Sequence, residues 1–266
     1  MFTVIGERIN MTRKSIRTRV WDRDEDFIRN EAQLQAQAGA THIDINAGGD
    51  PAKEIDDMKW LTTIVSDAVD IPLSFDSANP DAIMAGLDLC NRSGTIVNSI
   101  TMEKERVESI LPLVKEYNTG IVCLTMDDTG MPEDYDGRVK ITEDIVALLK
   151  DNDITLDRAY FDHLVRPAST NPGQAQHLLN AVRYTRETYP ETHIALGLSN
   201  ISFGIPGRNN FNRVFLSMLV AVGCDGAIVD PTEPEMMITL CSARAVMGYD
   251  EFCMTYLTKM RAEGKA

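Results

Sequence analysis

The chain has 266 residues, 44% hydrophobic and 25% charged, with a formal net charge of −14. Such acidity argues against nucleic acid or an anionic lipid surface as partner, and without a run of about eighteen apolar residues no membrane span is expected. The odd cysteine count (Cys90, Cys123, Cys224, Cys241 and Cys253) without a C-x-x-C pair points to reduced thiols in a cytoplasmic protein.

Short apolar runs alternate with longer helical patterns. In chain order the strand candidates are FTVI from Phe2, HIDI from His42, PLSF from Pro72 and TIVNS from Thr95. They continue with GIVCLT from Gly120, AYFDHL from Ala159, IALGLS from Ile194 and GAIVD from Gly226. Helical patterns cover 24–38, 52–68, 80–90, 103–117, 138–150, 173–188, 211–222 and 234–247, with a last one at 251–261. In the second of these, Ile55, Met58, Leu61, Thr62, Val65 and Ala68 recur at three-to-four spacing, one face of a helix. The opening MFTVIGERIN lacks a basic start and a long apolar core, so no secretory signal is expected. Eight strand–helix alternations in about 250 residues predict an α/β fold, a (β/α)8 TIM barrel, as one domain over 1–266. An open doubly wound sheet usually has about five to seven strands. The active site of such a barrel lies at the C-terminal ends of its strands.

Polar groups end all eight units: Glu7 with Asn10, Asp44 with Asn46, Asp76, Asn98, Met126 with Asp127, Asp162, Ser199 with Asn200, and Asp230. Any one of them could be a helix cap or an Asx turn. Together, and with Asn98 and Asp162 flanked by apolar residues, they form a ring of acceptors and amides. That ring suits a flat polar heterocycle rich in N–H and C=O groups. It is a poor metal site, because His is nearly absent and no D-x-D, H-x-C or C-x-x-C spacing occurs. No glycine-rich phosphate cradle is present either. The loop SNISFGIPGRNNFNR brings Arg208 and Arg213 into an acidic chain, with Asn209 or Asn210 as a candidate cap for the next helix.

The motifs IGERIN, DINAG, FDS-N, VNS, LTM-TG-P, FD-L and LGLSN, in this order, resemble the pterin-binding methyltransferase family. The likeness is strongest to single-domain methyltetrahydrofolate:corrinoid methyltransferases, both those of acetogens and the methylcobalamin:tetrahydrofolate enzymes of demethylase systems. It extends to the folate module of cobalamin-dependent methionine synthase and covers Ile5 to about Lys259. The resemblance implies a homodimeric barrel with no protein-bound metal. Its substrate is tetrahydrofolate or 5-methyltetrahydrofolate, and its corrinoid (cobalamin) arrives on a partner protein. Asp76, Asn98 and Asp162 match the family's three pterin-ring contacts. Asn200 matches the catalytic asparagine that reaches N5, and Arg208 the arginine that packs on the pterin. Gly197, Ser199, Met126, Glu7, Asp44 and Asn46 complete the expected substrate-binding set.

Two departures bear on the partner. Asp127-Asp128 stands where acetogen members have Asn-Lys, and His163 where they have Pro. The first removes positive charge from the rim and tilts the reading towards delivery of methyl to tetrahydrofolate in a demethylase pathway. His163, alternating with Asp162, is expected to point away from the pocket. The reverse direction, as in acetogenesis or methionine synthesis, is the first alternative. A noncatalytic pterin-binding scaffold is another. Dihydropteroate synthase is disfavoured, because VDPTEP puts acid where pyrophosphate displacement wants base.

Overall fold

A computed structural model of the chain describes residues 1–90, 92–170 and 172–265. Its strands are β1 (Thr3–Asn10), β2 (His42–Asn46), β3 (Leu73–Asp76), β4 (Ile96–Ile100), β5 (Gly120–Leu124), β6 (Ala159–Asp162), β7 (His193–Gly197) and β8 (Gly226–Val229). All neighbours are parallel, and β1 pairs with β8, so the sheet closes as a barrel in sequence order. The expected (β/α)8 architecture is the observed one. The helices are α1 (Lys14–Trp21), α2 (Glu25–Ala38), α3 (Glu54–Ala68), α4 (Pro80–Leu89) and α5 (Lys104–Glu116). They continue with α6 (Tyr135–Asp151), α7 (Gln174–Thr188), α8 (Arg208–Ala221), α9 (Pro234–Val246) and α10 (Met254–Ala262).

Period-two alternation along each strand separates two cores. Ile5, Ile96, Val122 and Ala195 cluster together although they come from β1, β4, β5 and β7, which can meet only inside the barrel. Their immediate neighbours pack outward against helices: Val97, Ile121 and Cys123 in one shell, and Val4, Ile194 and Leu196 in the other. Close helix–strand approach has a sequence signature. A Cβ on Gly86 of α4 would lie 2.5 Å from the Phe75 ring, so only glycine lets α4 seat on β3.

Local chemistry sets the helix starts. Asp24 accepts from the Phe27 N–H, and Asn79 accepts from the Asp81 N–H with Pro80 at the first helical position. Helix α6 begins three residues before its apolar pattern does, because Asp134 caps it by accepting from the Gly137 N–H. Two expectations need correction. Neither Asn209 nor Asn210 caps α8; the helix starts at Arg208 after Gly207, whose φ of 67° no β-carbon-bearing residue adopts easily. Helix α1, absent from the expected helices, has eight residues with only Ile16 and Val20 buried, too few apolar positions to register as periodic. No helix among the described residues is long and apolar enough to cross a membrane.

Candidate functional site

The alternation that builds the inner core also aims the strand-end residues. Counting in twos from Ile5, Ile96, Val122 and Ala195 leads to Glu7, Asn98, Met126 and Gly197 on the inward side at the C-terminal mouth. Asp44 and Asn46 on β2 and Asp76 on β3 are brought level by the pairings Asp44 with Ser74 and Asn46 with Asp76. The next pairing sets Asp76 beside Asn98. Asp162 ends β6 and is buried. His163, one residue further, is on the other side, fully buried with Nε2 3.0 Å from the Thr185 hydroxyl of α7. Burial and the nearby Arg138 charge hold its pKa down, to about 3, so it is neutral.

Several strand-end side chains split their bonds between their own loop and the neighbouring strand. Asn46 Oδ1 accepts from the Gly48 N–H while its Nδ2 donates to Asp76 Oδ2 at 2.9 Å. Asp162 Oδ1 accepts from the Leu164 N–H at 2.7 Å while Oδ2 accepts from the Gly197 N–H at 3.0 Å. Asp230 Oδ1 accepts from Thr232 while Oδ2 accepts from Arg8 across the β8–β1 seam. For Asn10 and Asp127 the local bonds are the ones formed: each Oδ1 accepts from the N–H and hydroxyl of a threonine two residues on. The three Asn/Asp-x-Thr triplets are therefore turn closures.

Asp44 and Asp76 sit side by side with different support. Burial first, and the Asp76 charge second, push the Asp44 pKa well above the usual carboxylate range. Its Oδ1 accepts from the Ser74 hydroxyl at 2.6 Å and, more weakly, from Asn98 Nδ2 at 3.4 Å. Burial also raises Asp76, but the Asn46 amide and the Arg106 charge oppose it. Burial thus raises both carboxyls of this adjacent pair, and Asp76 is the better supported of the two in its charged form. Asp76 does not cap its own helix; Asn79 does.

Arg106 was missing from the sequence-derived set. Its half-buried guanidinium donates to the carbonyls of Ser77, Ala78 and Ser99 at 2.7–2.8 Å, tying the loops after β3 and β4 together behind Asp76 and Asn98. The only sequence signal was its place in the first turn of a helix after a strand end, too common to single it out.

Across the mouth, Gly197 leaves room that two side chains occupy. A Cβ there would lie 3.3 Å from Asn200 Nδ2 and 3.7 Å from Asp162 Oδ2. Asn200 itself is exposed, in the short 3-10 turn Leu198–Ser202 that follows β7. Ser199 donates its hydroxyl to Glu7 Oε1 at 3.0 Å, and its carbonyl accepts from Arg208 Nη2 at 2.6 Å. Arg208 Nε also donates to the Ser202 hydroxyl at 3.0 Å, which folds the FGIPGR loop back over the 3-10 turn. Burial raises the Glu7 pKa, opposed by Arg13 at 3.2 Å and by Ser199. Asp162 is pushed up to about 6 by burial, with only the two N–H bonds in opposition.

These residues open into two clefts on the mouth face. One, of about 970 Å³, is lined by Asp76, Asn98, Arg106 and Met126 among others. The other, of about 440 Å³, is lined by Glu7, Arg13, Ser199, Asn200 and Arg208 among others. Asp44 and Asn46 lie behind the lining, bonded to Asn98 and Asp76, whereas Asp162 and Gly197 bond to each other and line neither cleft. Among the described residues no group of three or more His, Cys, Asp and Glu is placed to hold a metal ion.

A barrel whose mouth carries inward carboxylates and amides from successive strands defines a class. Residues 6–230 match the model of the pterin binding enzymes, and the chain belongs to that family. Over 264 residues it is 36% identical to the methylcorrinoid:tetrahydrofolate methyltransferase of Eubacterium limosum, covering 98% of this chain and 97% of that protein. It is 29% identical over 245 residues to the methionine synthase of Mycobacterium tuberculosis, covering 85% of this chain but 20% of that larger protein. The solved dihydropteroate synthase of Xanthomonas albilineans, in complex with 7,8-dihydropteroate, superposes with a TM-score of 0.69 at 17% identity over 93% of this chain and 92% of that one. That likeness shows the fold alone.

Proposed function

We propose that this chain, as one pterin-binding domain, transfers a methyl group between the cobalt of a corrinoid and N5 of tetrahydrofolate, in the direction that yields 5-methyltetrahydrofolate. The observation that carries the reading is the near end-to-end 36% identity to a methylcorrinoid:tetrahydrofolate methyltransferase. Both tetrahydrofolate and corrinoid are substrates, and the corrinoid is delivered by a partner protein.

The chain's own residues have distinct tasks. A pterin presents its 2-amino group and N3–H side by side, and an ionised carboxylate accepts both. Asp76, its charged form supported by Asn46 and Arg106, and Asp162, whose oxygens retain lone pairs beyond their backbone bonds, take donors of the pterin edge. The Asn98 side-chain amide offers a carbonyl acceptor, and its Nδ2 lies 3.4 Å from Asp44. Met126 supplies an apolar wall. These contacts bind and orient; they are remote from the transferred methyl. Arg208, braced by Ser199 and Ser202, covers the pterin face. Asn200 addresses N5, where charge changes as the methyl arrives, and its amide stabilises that change without itself donating a full proton.

The homodimer is supported by exposed apolar residues on α8 and at the end of α9, among them Val214, Met218 and Val246, with Met247 just beyond. Such a patch marks an interaction surface. Five cysteines without a disulfide suit a cytoplasmic location. The test is methyl exchange between methylcobalamin and tetrahydrofolate, followed by the corrinoid spectrum. Exchange is expected; folate binding without exchange would leave a pterin-binding scaffold instead.

A further inference from the structure

Within a chain of net charge −14, the segment TRKSIRTRVW at 12–21 carries Arg13, Lys14, Arg17 and Arg19 and no acid. It forms α1 in the connection after β1, hence on the face where the two clefts open. Arg13, Arg17 and Trp21 recur at four-residue spacing and so stand in line on one helix face. Arg13 lines the cleft that holds Asn200 and Arg208, so this line begins at the cleft and runs about 12 Å along the helix. At its end the Arg17 guanidinium lies 5.7 Å from the Trp21 ring centroid. Lys53, from the connection after β2, brings its ammonium to 5.4 Å from the same ring.

The charges of this patch divide into two groups. Arg13 is answered by Glu7, Arg19 by Asp24 at 2.8 Å, and Arg23 by Asp57 at 2.9 Å. Among the described residues, no carboxylate lies within salt-bridge distance of Lys14, Arg17 or Lys53. Arg17 and Lys53, neither in a salt bridge, therefore flank an exposed tryptophan on the rim of the site, and Lys14 stands one turn before Arg17 on α1. An otherwise acidic surface repels an anionic substrate, and a local cluster of this kind reverses the sign where the substrate enters.

We propose that Arg17 and Lys53, flanking Trp21, together with Lys14 one turn back on α1, hold the anionic benzoyl-glutamate tail of the folate, and its added glutamates when the tail is longer. The inference rests on the folate reading above. A tetrahydrofolate is a pterin joined through an aromatic amide to one or more glutamates, so the tail combines an aryl ring with carboxylates. Trp21 meets the first and the three cations meet the second.

Calorimetric binding of three probes tests this: 6-methyltetrahydropterin, which has no tail, tetrahydrofolate with one glutamate, and tetrahydrofolate with three. The unaltered chain is expected to bind in that order of rising affinity at low ionic strength, with the difference between one and three glutamates shrinking at about 0.5 M salt. The double variant Arg17→Met, Lys53→Met is expected to lose about tenfold for the triglutamate and nothing for the tail-less pterin. The tail-less probe also reports that the variant is folded. Equal affinity of the unaltered chain for one and three glutamates overturns the proposal. So does a variant that binds all three probes normally yet fails to take methyl from the corrinoid protein, which would make the patch a docking surface. Failure of every probe to bind the unaltered chain overturns the folate reading itself.

Discussion

Asn46 Nδ2 donates to Asp76 Oδ2 at 2.9 Å across the paired ends of β2 and β3. The bond aims a carboxylate into the mouth and favours its charged form against burial. Asp76→Asn keeps the shape and removes the charge. It is expected to weaken tetrahydrofolate binding by about tenfold or more, with a smaller effect on kcat. Asn46→Ala is expected to cost about 1 kcal/mol of binding. The double variant should lose less than the sum, because the two share one interaction. Equilibrium titration of each variant checks this; additive losses would separate the residues.

Asn200→Ala is expected to lower kcat/KM by about 100-fold or more, as when a single donor at a developing charge is removed. Folate affinity should change by no more than about threefold, because in the proposed role the amide addresses N5 rather than the recognition edge. Steady-state kinetics beside direct binding distinguishes the outcomes, and equal losses in both would remove the catalytic role.

Gly197→Ala places a methyl 3.3 Å from Asn200 Nδ2 and 3.7 Å from Asp162 Oδ2. Because these are the polar atoms of two site residues, the methyl displaces function before it displaces fold. The expected result is a fall of about tenfold in kcat/KM with a melting temperature within about 2 °C of the unaltered chain. A large loss of melting temperature would make the glycine structural.

In the proposed site Asp162 takes pterin donors best when ionised, and burial pushes its pKa up to about 6. Tetrahydrofolate affinity is therefore expected to fall as pH drops through about 6 and to level off above it. The same shift acts on stability with the opposite sense. The folded state holds the Asp162 proton more tightly than the unfolded chain, so this residue favours folding most at low pH and loses that contribution as pH rises from about 4 to about 6. Asp162→Asn should flatten the binding profile. An unchanged midpoint in that variant would assign the titration to another group.

The barrel was legible because its signals are local. Apolar runs of strand length, helices at three-to-four spacing, and caps such as Asp24 and Asn79 are written in neighbouring residues. The same locality hid α1, whose two buried residues make no pattern, and it misplaced the start of α8, where Gly207 rather than an asparagine sets the turn. Strand-end position was also readable, and with it a ring of polar side chains.

What the ring could not disclose is how its members divide. Asn10 and Asp127 each meet a threonine two residues on and close a turn. Asn46, Asp76 and Asp162 look alike in sequence, yet they reach across to residues 30 or more positions away. Ser199 meets Glu7 at a separation of 192 residues, and Arg8 meets Asp230 at 222, contacts made only when β8 closes onto β1. The sequence by itself determined the elements and the parity that turns these side chains inward, since both follow from backbone geometry. Tertiary structure decided which carboxyls burial raises, which gain support from a distant amide or guanidinium and which close a local turn. Those properties depend on burial and on partners that the closed barrel alone brings together.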